Sequence, residues 1–341
     1  MFGRLNAHVN WRSDSDFSVP ADDHARATLS RSPQTPAMTS PTSPLPEFPE
    51  DVVRLIFEIA AEGNDPERLS YALLSKTLQS WVEPIIYREV VASGDQVYLF
   101  WRTLVSERST KPANFFDLHV KSLYFKNLFP QYDGEDDGFE LVRVVQKCRG
   151  LQSIALRGFG IRFPTADILN FTGDSVRRLS TTIFINHWDK GQFSHPGLRK
   201  LTHLEFRAQS PTSDDVNYAT LRELTNLTHL SIITPFHKAA NAAAIQNLPA
   251  RLRVFILFIC YGRDDLAQEL KNIDEGRTDD RVVIGIARDQ VPLVLQYGVV
   301  LPSFDLSDVF EDWRHPFTTT EGMWFQAEEQ IQRRRRRLTE D

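Results

Sequence analysis

Residues Leu201–Phe206 read LTHLEF, and residues Leu227–Ile232 read LTHLSI. Related strings with a large apolar residue at the centre begin at Val120, Leu151, Val176 and Leu252. The six central positions are 123, 154, 179, 204, 230 and 255, so the steps between them are 31, 25, 25, 26 and 25 residues. Steps of 25 or 26 residues lie within the period of leucine-rich repeats, which is about 20–29 residues.

A short apolar string of this kind predicts a β-strand whose alternate side chains point into a core. One such strand leaves its apolar face open, so successive units must stack on one another to close a core. The chain therefore predicts an α/β fold, in which residues 120–310 form an irregular solenoid similar to leucine-rich repeats.

The segments between the strings predict helices. We expect them at Phe139–Cys148, Thr165–Asn170, Asp214–Leu224, Lys238–Asn247 and Asp264–Ile273. The link after Ile185 is rich in Gly and Pro, which predicts a loop instead of a helix. One more strand is expected at Asp280–Ile286, and residues 311–341 should hold a closing helix at Glu321–Arg337 that packs on the last repeat through Trp324, Phe325 and Ile331.

The first 44 residues are polar and aperiodic, and end in four Ser/Thr-Pro pairs, so we expect this tail to be disordered. Order should begin near Leu45, because a proline with acidic neighbours at Glu50 and Asp51 is a helix-start signal. Three short apolar-faced helices fit residues 45–90, with a break at Pro84. Residues 91–119 then predict a helical linker or cap.

The region 45–90 resembles an F-box, in particular the F-box-like proteins abundant in mushroom-forming fungi. The pattern is carried by Phe48–Val53, Ile56-Phe57, Leu73–Lys76 and Trp81–Tyr87. Departures are Phe48 for the usual Leu, Asp51 for Glu, Leu78 where Trp is common, and a longer loop at 61–67.

The resemblance implies recruitment to a Skp-type linker protein, and through it to a cullin-RING ubiquitin ligase of the SCF type, while the repeats hold an unknown target protein. The linker-facing candidates are Pro49, Val52, Val53, Ile56, Phe57, Leu74, Ser75, Lys76 and Leu78. The alternative is that these residues only pack on the repeats, which would leave a protein-interaction scaffold whose F-box-like helices no longer bind the linker.

A target would meet the side chains that flank the inward positions of each strand. They are Tyr124, Lys126, Arg157, Arg178, His203, Glu205, Arg207, His229 and Ser231. Such a mixed face with Tyr and Arg suits protein recognition. His203 and His229 are equivalent positions of neighbouring repeats with no third ligand in the pattern, so we expect neither a metal site nor an acid–base pair there.

Charge, cysteine content and the absence of catalytic motifs argue against several further classes of function. Acidic residues number 45 against 39 basic ones, a net charge of -6, so no global positive field favours nucleic acid. Two cysteines and no apolar leader predict a cytoplasmic or nuclear protein without a membrane partner. Residues Arg333–Arg337 fit a solvated helix end better than a nuclear-import signal. The chain carries no phosphate-binding or nucleophile motif, so we expect a non-enzyme without cofactors.

Overall fold

A computed structural model describes residues 48–62, 68–106, 111–126, 137–157, 170, 175–181, 192–207, 216–234, 238–259, 271–273, 275–287, 303–304, 306–317 and 322–340. The disordered tail expected at 1–44 falls outside these ranges, and of the helix expected at Thr165–Asn170 only Asn170, which is helical, lies within them. The chain divides into two compact units, Met1–Val82 and Glu83–Asp341.

In its described part, the first unit consists of short helices. They are α1 (Glu50–Glu62), α2 (Arg68–Leu74) and α3 (Lys76–Ile86), whose last residues belong to the second unit. The carbonyl of Pro49 accepts hydrogen bonds from the first turn of α1, and two acidic residues there complement the helix dipole. The break expected at Pro84 is wrong, because α3 runs through this proline. Only two residues of the helix follow Pro84, so the missing N–H falls in the last turn.

Within the described ranges, the second unit is built on a parallel sheet of nine strands that lie side by side in chain order. The strands are β1 (Glu89–Ser93), β2 (Ser122–Lys126), β3 (Ser153–Leu156), β4 (Arg178–Thr181), β5 (His203–Arg207), β6 (His229–Thr234), β7 (Val254–Ile259), β8 (Val282–Ala287) and β9 (Ser303–Phe304). The protein is therefore a mixed α/β protein. Six of these strands are the six apolar strings, and β8 lies where a further strand was predicted.

The register of the sheet follows the spacing of the strings. The central residues Leu123, Ile154, Leu179, Leu204, Leu230 and Phe255 lie opposite one another on neighbouring strands. A shift of one residue would turn each apolar centre to the other face of the sheet, so burial of these residues selects this register.

Helical segments connect or follow the strands. They are α4 (Asp95–Val105), α5 (Phe115–His119), α6 (Asp137–Lys147), α7 (Lys238–Gln246), α8 (Leu306–Arg314) and α9 (Met323–Glu340). The helix expected at Asp214–Leu224 is a 3-10 helix, Tyr218–Glu223, and the predicted loop contains two 3-10 turns, Gln192–Ser194 and Pro196–Leu198. Of the helix predicted at Asp264–Ile273, the structure describes only residues 271–273, which are helical.

One face of the sheet packs against the connecting segments. The central residues of the strings and the next residues of the same parity, such as Phe125, Leu156, Phe206 and Leu257, form one continuous apolar core. At the β1 end, Tyr87, Phe100, Phe115 and Phe116 add a cluster of edge-to-face aromatic contacts. Burial of this core explains why the parallel strands, each with its connecting segment, stack side by side.

The opposite face of the sheet is covered by α8 and α9. Beside β7 and β8 the cover is apolar, with Ile256, Val283, Trp324 and Ile331 in a second buried cluster. Across β2 to β5 the face is polar, and α8 packs against β1, β2 and β3. The strands β1 and β9 and the helix α8 had not been predicted, whereas α4 and α5 lie within the range 91–119 where a helical linker was expected.

Candidate protein-interaction surfaces

An apolar stripe on α1 faces solvent within the first unit. Val52, Leu55, Ile56 and Ile59 recur at helical spacing, and their exposed fractions are 37%, 56%, 52% and 62%. These four residues are called the α1 stripe below. Exposed apolar side chains that form a contiguous patch mark interaction sites in soluble proteins.

A second stripe on α1 points inward. Phe57 meets the ring of Tyr71 edge-on with 5.5 Å between ring centroids, and Ala61 is fully buried. Within the described part of this unit, Ala61 and Val82 are the only apolar residues that are fully buried. The other apolar side chains of these helices in the described ranges are half-buried or exposed.

The predicted linker-facing residues fall into two groups. Pro49, Val52, Ile56, Leu74, Ser75 and Lys76 are exposed, whereas Val53, Phe57 and Leu78 are half-buried. Ser75 also has a local role, because its hydroxyl accepts a hydrogen bond of 3.1 Å from the backbone N–H of Leu78 and so caps the start of α3.

Sequence reasoning missed part of this surface. Leu55, Ile59 and Leu73 were not among the candidate residues, yet they are 56%, 62% and 86% exposed. The sequence contained a signal for these residues, because α1 carries apolar residues on two sides. A helix that is buried on one side needs only one apolar stripe.

The predicted target-binding residues do share one face of the sheet, but the C-terminal helices cover much of it. Tyr124, Arg157, Glu205, His229 and Ser231 are buried, while Lys126, Arg178, His203 and Arg207 are partly exposed. In this state of the molecule, a target protein cannot reach most of the polar face. The side chains that cover it come from residues 310–317 and from α9.

Glu205 is the centre of the polar half of this face. Its carboxylate is 1% exposed and pairs with the buried guanidinium of Arg157. It also accepts hydrogen bonds from the Ser180 hydroxyl at 2.9 Å and from the indole N–H of Trp313 at 3.2 Å. A buried carboxylate needs such partners to offset the loss of water, and one of them belongs to α8.

Arg178 binds the backbone of the last turn of α8 and of the residues just after it. Its guanidinium donates to the carbonyls of Asp312 and Pro316 at 2.8 and 2.9 Å, and burial lowers its pKa. Burial also raises the pKa of the Asp312 carboxyl to about 6. That carboxyl accepts the backbone N–H of Trp324 at 3.3 Å and so caps the start of α9.

The two histidines of the LTH strings stack on each other. The ring centroids of His203 and His229 are 4.2 Å apart with nearly parallel planes, and Trp324 meets both rings edge-on. Burial, followed by the neighbouring His229, lowers the pKa of His203 to about 2, so this ring is neutral. His229 pairs with Glu328 of α9 at 3.2 Å. Within the described ranges, no three His, Cys, Asp or Glu side chains are placed to hold a metal ion.

The arginine run of α9 has one buried member. Arg334 is 6% exposed and donates to the carbonyl of Val282 at 2.6 Å, which ties α9 to β8. Arg333 and Arg335 are exposed and pair with Glu329 and Asp280. The run therefore includes a structural contact as well as a solvated helix end.

Comparison with known proteins adds no family: no family model matches the chain, and no curated protein does. None of the helices in the described ranges combines the length and the apolar character needed to cross a membrane.

Proposed function

We propose that this protein is a non-enzymatic, substrate-recruiting adaptor of an SCF-type ubiquitin ligase in the cytoplasm or nucleus. In this account the helices of the first unit are an F-box-like module that binds a Skp-type linker, and through it a cullin. The sheet of the second unit is an irregular leucine-rich-repeat solenoid that holds the target protein. The chemistry of ubiquitin transfer belongs to other subunits of the ligase.

The observation that carries the proposal is the α1 stripe. Four large apolar side chains on one side of a helix are more than half exposed on average, and Leu73 and Leu74 at the end of α2 are 86% and 64% exposed. Burying such surface releases about 25 cal/mol for each Å² removed from water. A linker that offers an apolar groove would therefore gain affinity from these side chains, and the F-box resemblance names a linker of that kind.

The repeat assignment is supported by the order and register of the sheet. Parallel strands that follow one another in chain order, with four of the five steps between the string centres at 25 or 26 residues, are the arrangement that stacked repeats require. The strand centres at Leu204 and Leu230 lie directly opposite each other, as equivalent positions of two repeats should.

Co-purification with a Skp-type linker tests this proposal. The wild-type chain should bind the linker in a one-to-one complex, and the double variant Pro49→Ala with Ile56→Asp should lose it. Leu118→Asp is the matched control, because Leu118 on α5 is 54% exposed and Ile56 is 52% exposed. A charge introduced at residue 118, where the side chain is about as exposed as at residue 56, should leave linker binding unchanged.

Thermal melting of the same samples separates the two accounts of the F-box-like helices. If the wild type fails to bind the linker while the double variant melts at lower temperature, the helices only support the fold and the protein is an interaction scaffold. If the double variant melts like the wild type and no longer binds, the linker surface is the one described.

A further inference from the structure

The last six residues of α9, 335–340, form a helix end that is exposed on every side. Up to Arg334 the helix has a buried side, which is formed by Trp324, Ala327, Ile331 and Arg334 itself. From residue 335 onward every side chain is exposed to solvent. Six helical residues span about 9 Å, so more than one full turn of α9 lies open. We name residues 335–340 the arginine tip, because the first three of them are arginines.

Two arginines at the start of this open region form surface ion pairs. Arg333 lies 3.0 Å from Glu329, and Arg335 lies 2.7 Å from Asp280. The two acidic side chains are 46% and 47% exposed. Ion pairs that stay open to water contribute little to stability, because water screens both charges. Both arginines can therefore turn to carboxylates of another molecule at little cost to the fold.

Arg336 and Arg337 have no ionic partner among the described residues, and both are exposed. Positive charge in the last turn of a helix complements the helix dipole. These two residues, however, stand three and four positions after Arg333, where like charges on a helix repel each other. The arginine tip thus holds more positive charge than the stability of α9 requires, and that surplus is available to a partner.

The chemistry of the arginine tip selects carboxylates over other anions. An arginine guanidinium can donate two parallel hydrogen bonds to one carboxylate. The whole chain has a net charge of -6, which disfavours a long polyanion such as nucleic acid. Leu338 follows the arginines directly and is 69% exposed, so it offers an apolar contact that a phosphate backbone does not use. An acidic protein segment that also carries an apolar side chain fits both features.

We propose that the arginine tip is a docking surface for an acidic segment of a partner protein, in which several carboxylates surround an apolar side chain. Arg336 and Arg337 bind the first carboxylates, and Arg335 exchanges Asp280 for another. Leu338 contacts the apolar side chain of the segment. This surface lies on α9 in the second unit, so the inference is independent of linker binding by the α1 stripe.

A labelled synthetic peptide of glutamates around a single leucine tests the inference when it is titrated into the full-length protein. The wild type should bind the peptide, and binding should weaken as salt is added, because exposed charges are screened. Arg336→Glu combined with Arg337→Glu replaces two attractions by two repulsions, so it should weaken binding about tenfold. A peptide with glutamine in place of every glutamate should bind neither protein.

Arg102→Glu combined with Arg149→Glu is the matched control. Both arginines are exposed and lie in the second unit, and the net charge changes by the same amount as in the reversed tip. This control should bind the peptide as the wild type does. Arg336→Gln combined with Arg337→Gln removes the charges without placing acids at the end of a helix, so it replaces the reversed variant if the latter melts at lower temperature.

Leu338→Ser separates an acidic protein segment from nucleic acid. The substitution should weaken binding of the peptide about threefold, because the apolar contact is lost, and should leave its salt dependence unchanged. A short DNA duplex that binds the wild type more tightly than the peptide, and that Leu338→Ser does not affect, would contradict the proposed partner class. A wild type that does not bind the peptide, or a reversed tip that binds it equally well, would overturn the inference.

Discussion

The pair formed by Glu205 and Arg157 allows a quantitative prediction about the polar face. Both side chains are nearly without solvent contact, at 1% and 6% exposure, and Ser180 and Trp313 donate to the same carboxylate. Glu205→Gln removes the charge and leaves the Arg157 guanidinium buried without its counter-ion. Breaking a buried ion pair from one side costs about 3–5 kcal/mol of unfolding free energy.

The double substitution separates the ion pair from its surroundings. Arg157→Met alone should cost a similar amount, because it leaves the Glu205 carboxylate buried without its strongest partner. Glu205→Gln combined with Arg157→Met removes both charges, so it should cost far less than the two single costs added together, by roughly 2 kcal/mol or more. Denaturant unfolding followed by tryptophan fluorescence measures all four proteins. Costs that simply add would refute the reasoning, since they would mean that the two charges do not depend on each other.

Three further predictions concern single residues. Burial lowers the pKa of His203 from the usual 6.5 to about 2, so its contribution to stability is present above pH 6.5 and is lost as pH falls. Between pH 8 and pH 5 the unfolding free energy of the wild type should therefore fall by about 2 kcal/mol more than that of His203→Asn, as measured by unfolding at each pH. The contribution of Asp312 to the unfolding free energy changes with pH in the opposite direction, because burial raises the pKa of its carboxyl to about 6. Protonation of Asp312 below that pH stabilises the folded state, and Asp312→Asn should lack this increase in unfolding free energy over the same pH range. A Cβ at Gly322 would overlap the Asp312 carboxylate, so Gly322→Ala should lower the unfolding free energy by about 1–3 kcal/mol; an unchanged melting temperature would contradict this packing.

The strand order could be predicted because it depends on local patterns. Each string carries its own apolar centre, and burial of that centre determines both the strand and its register, as the pairing of Leu204 with Leu230 illustrates. The strand Glu89–Ser93 escaped prediction because it has no such string and becomes a strand only by pairing with Ser122–Lys126. Propensity is a weak guide where a neighbouring strand supplies the stability.

The cover on the polar face could not be predicted from periodicity. Arg178 is 134 residues from Asp312 in the chain, and Trp313 is 108 residues from Glu205. Contacts at such separation leave no trace in a local hydrophobic pattern, so the sequence predicts an open target face where the structure has a closed one. The pattern around Phe310 and Trp313 was nevertheless readable as a short helix, since apolar residues recur there three positions apart.

Part of the exposed apolar surface of α1 and α2 was selected from the sequence. Ile56 and Leu74 were chosen by motif position and are exposed, whereas Leu55 and Ile59 lie outside the motif positions that carry the resemblance. Comparison with a motif selects only the positions that a family shares. The exposed fractions of the side chains identify further apolar residues, here Leu55 and Ile59, that are particular to this chain. The binding assignment of both groups stays a prediction.

The most direct test of the adaptor account is a titration of the full-length protein with a purified Skp-type linker, compared with Leu55→Asp. Leu55 is 56% exposed in the middle of the α1 stripe, so a carboxylate there should leave the melting temperature unchanged. If the stripe is the linker surface, the substitution should weaken binding at least tenfold, because a charge would have to be buried in an apolar contact. A wild-type protein that does not bind the linker, or a Leu55→Asp variant that binds it equally well, would contradict the account.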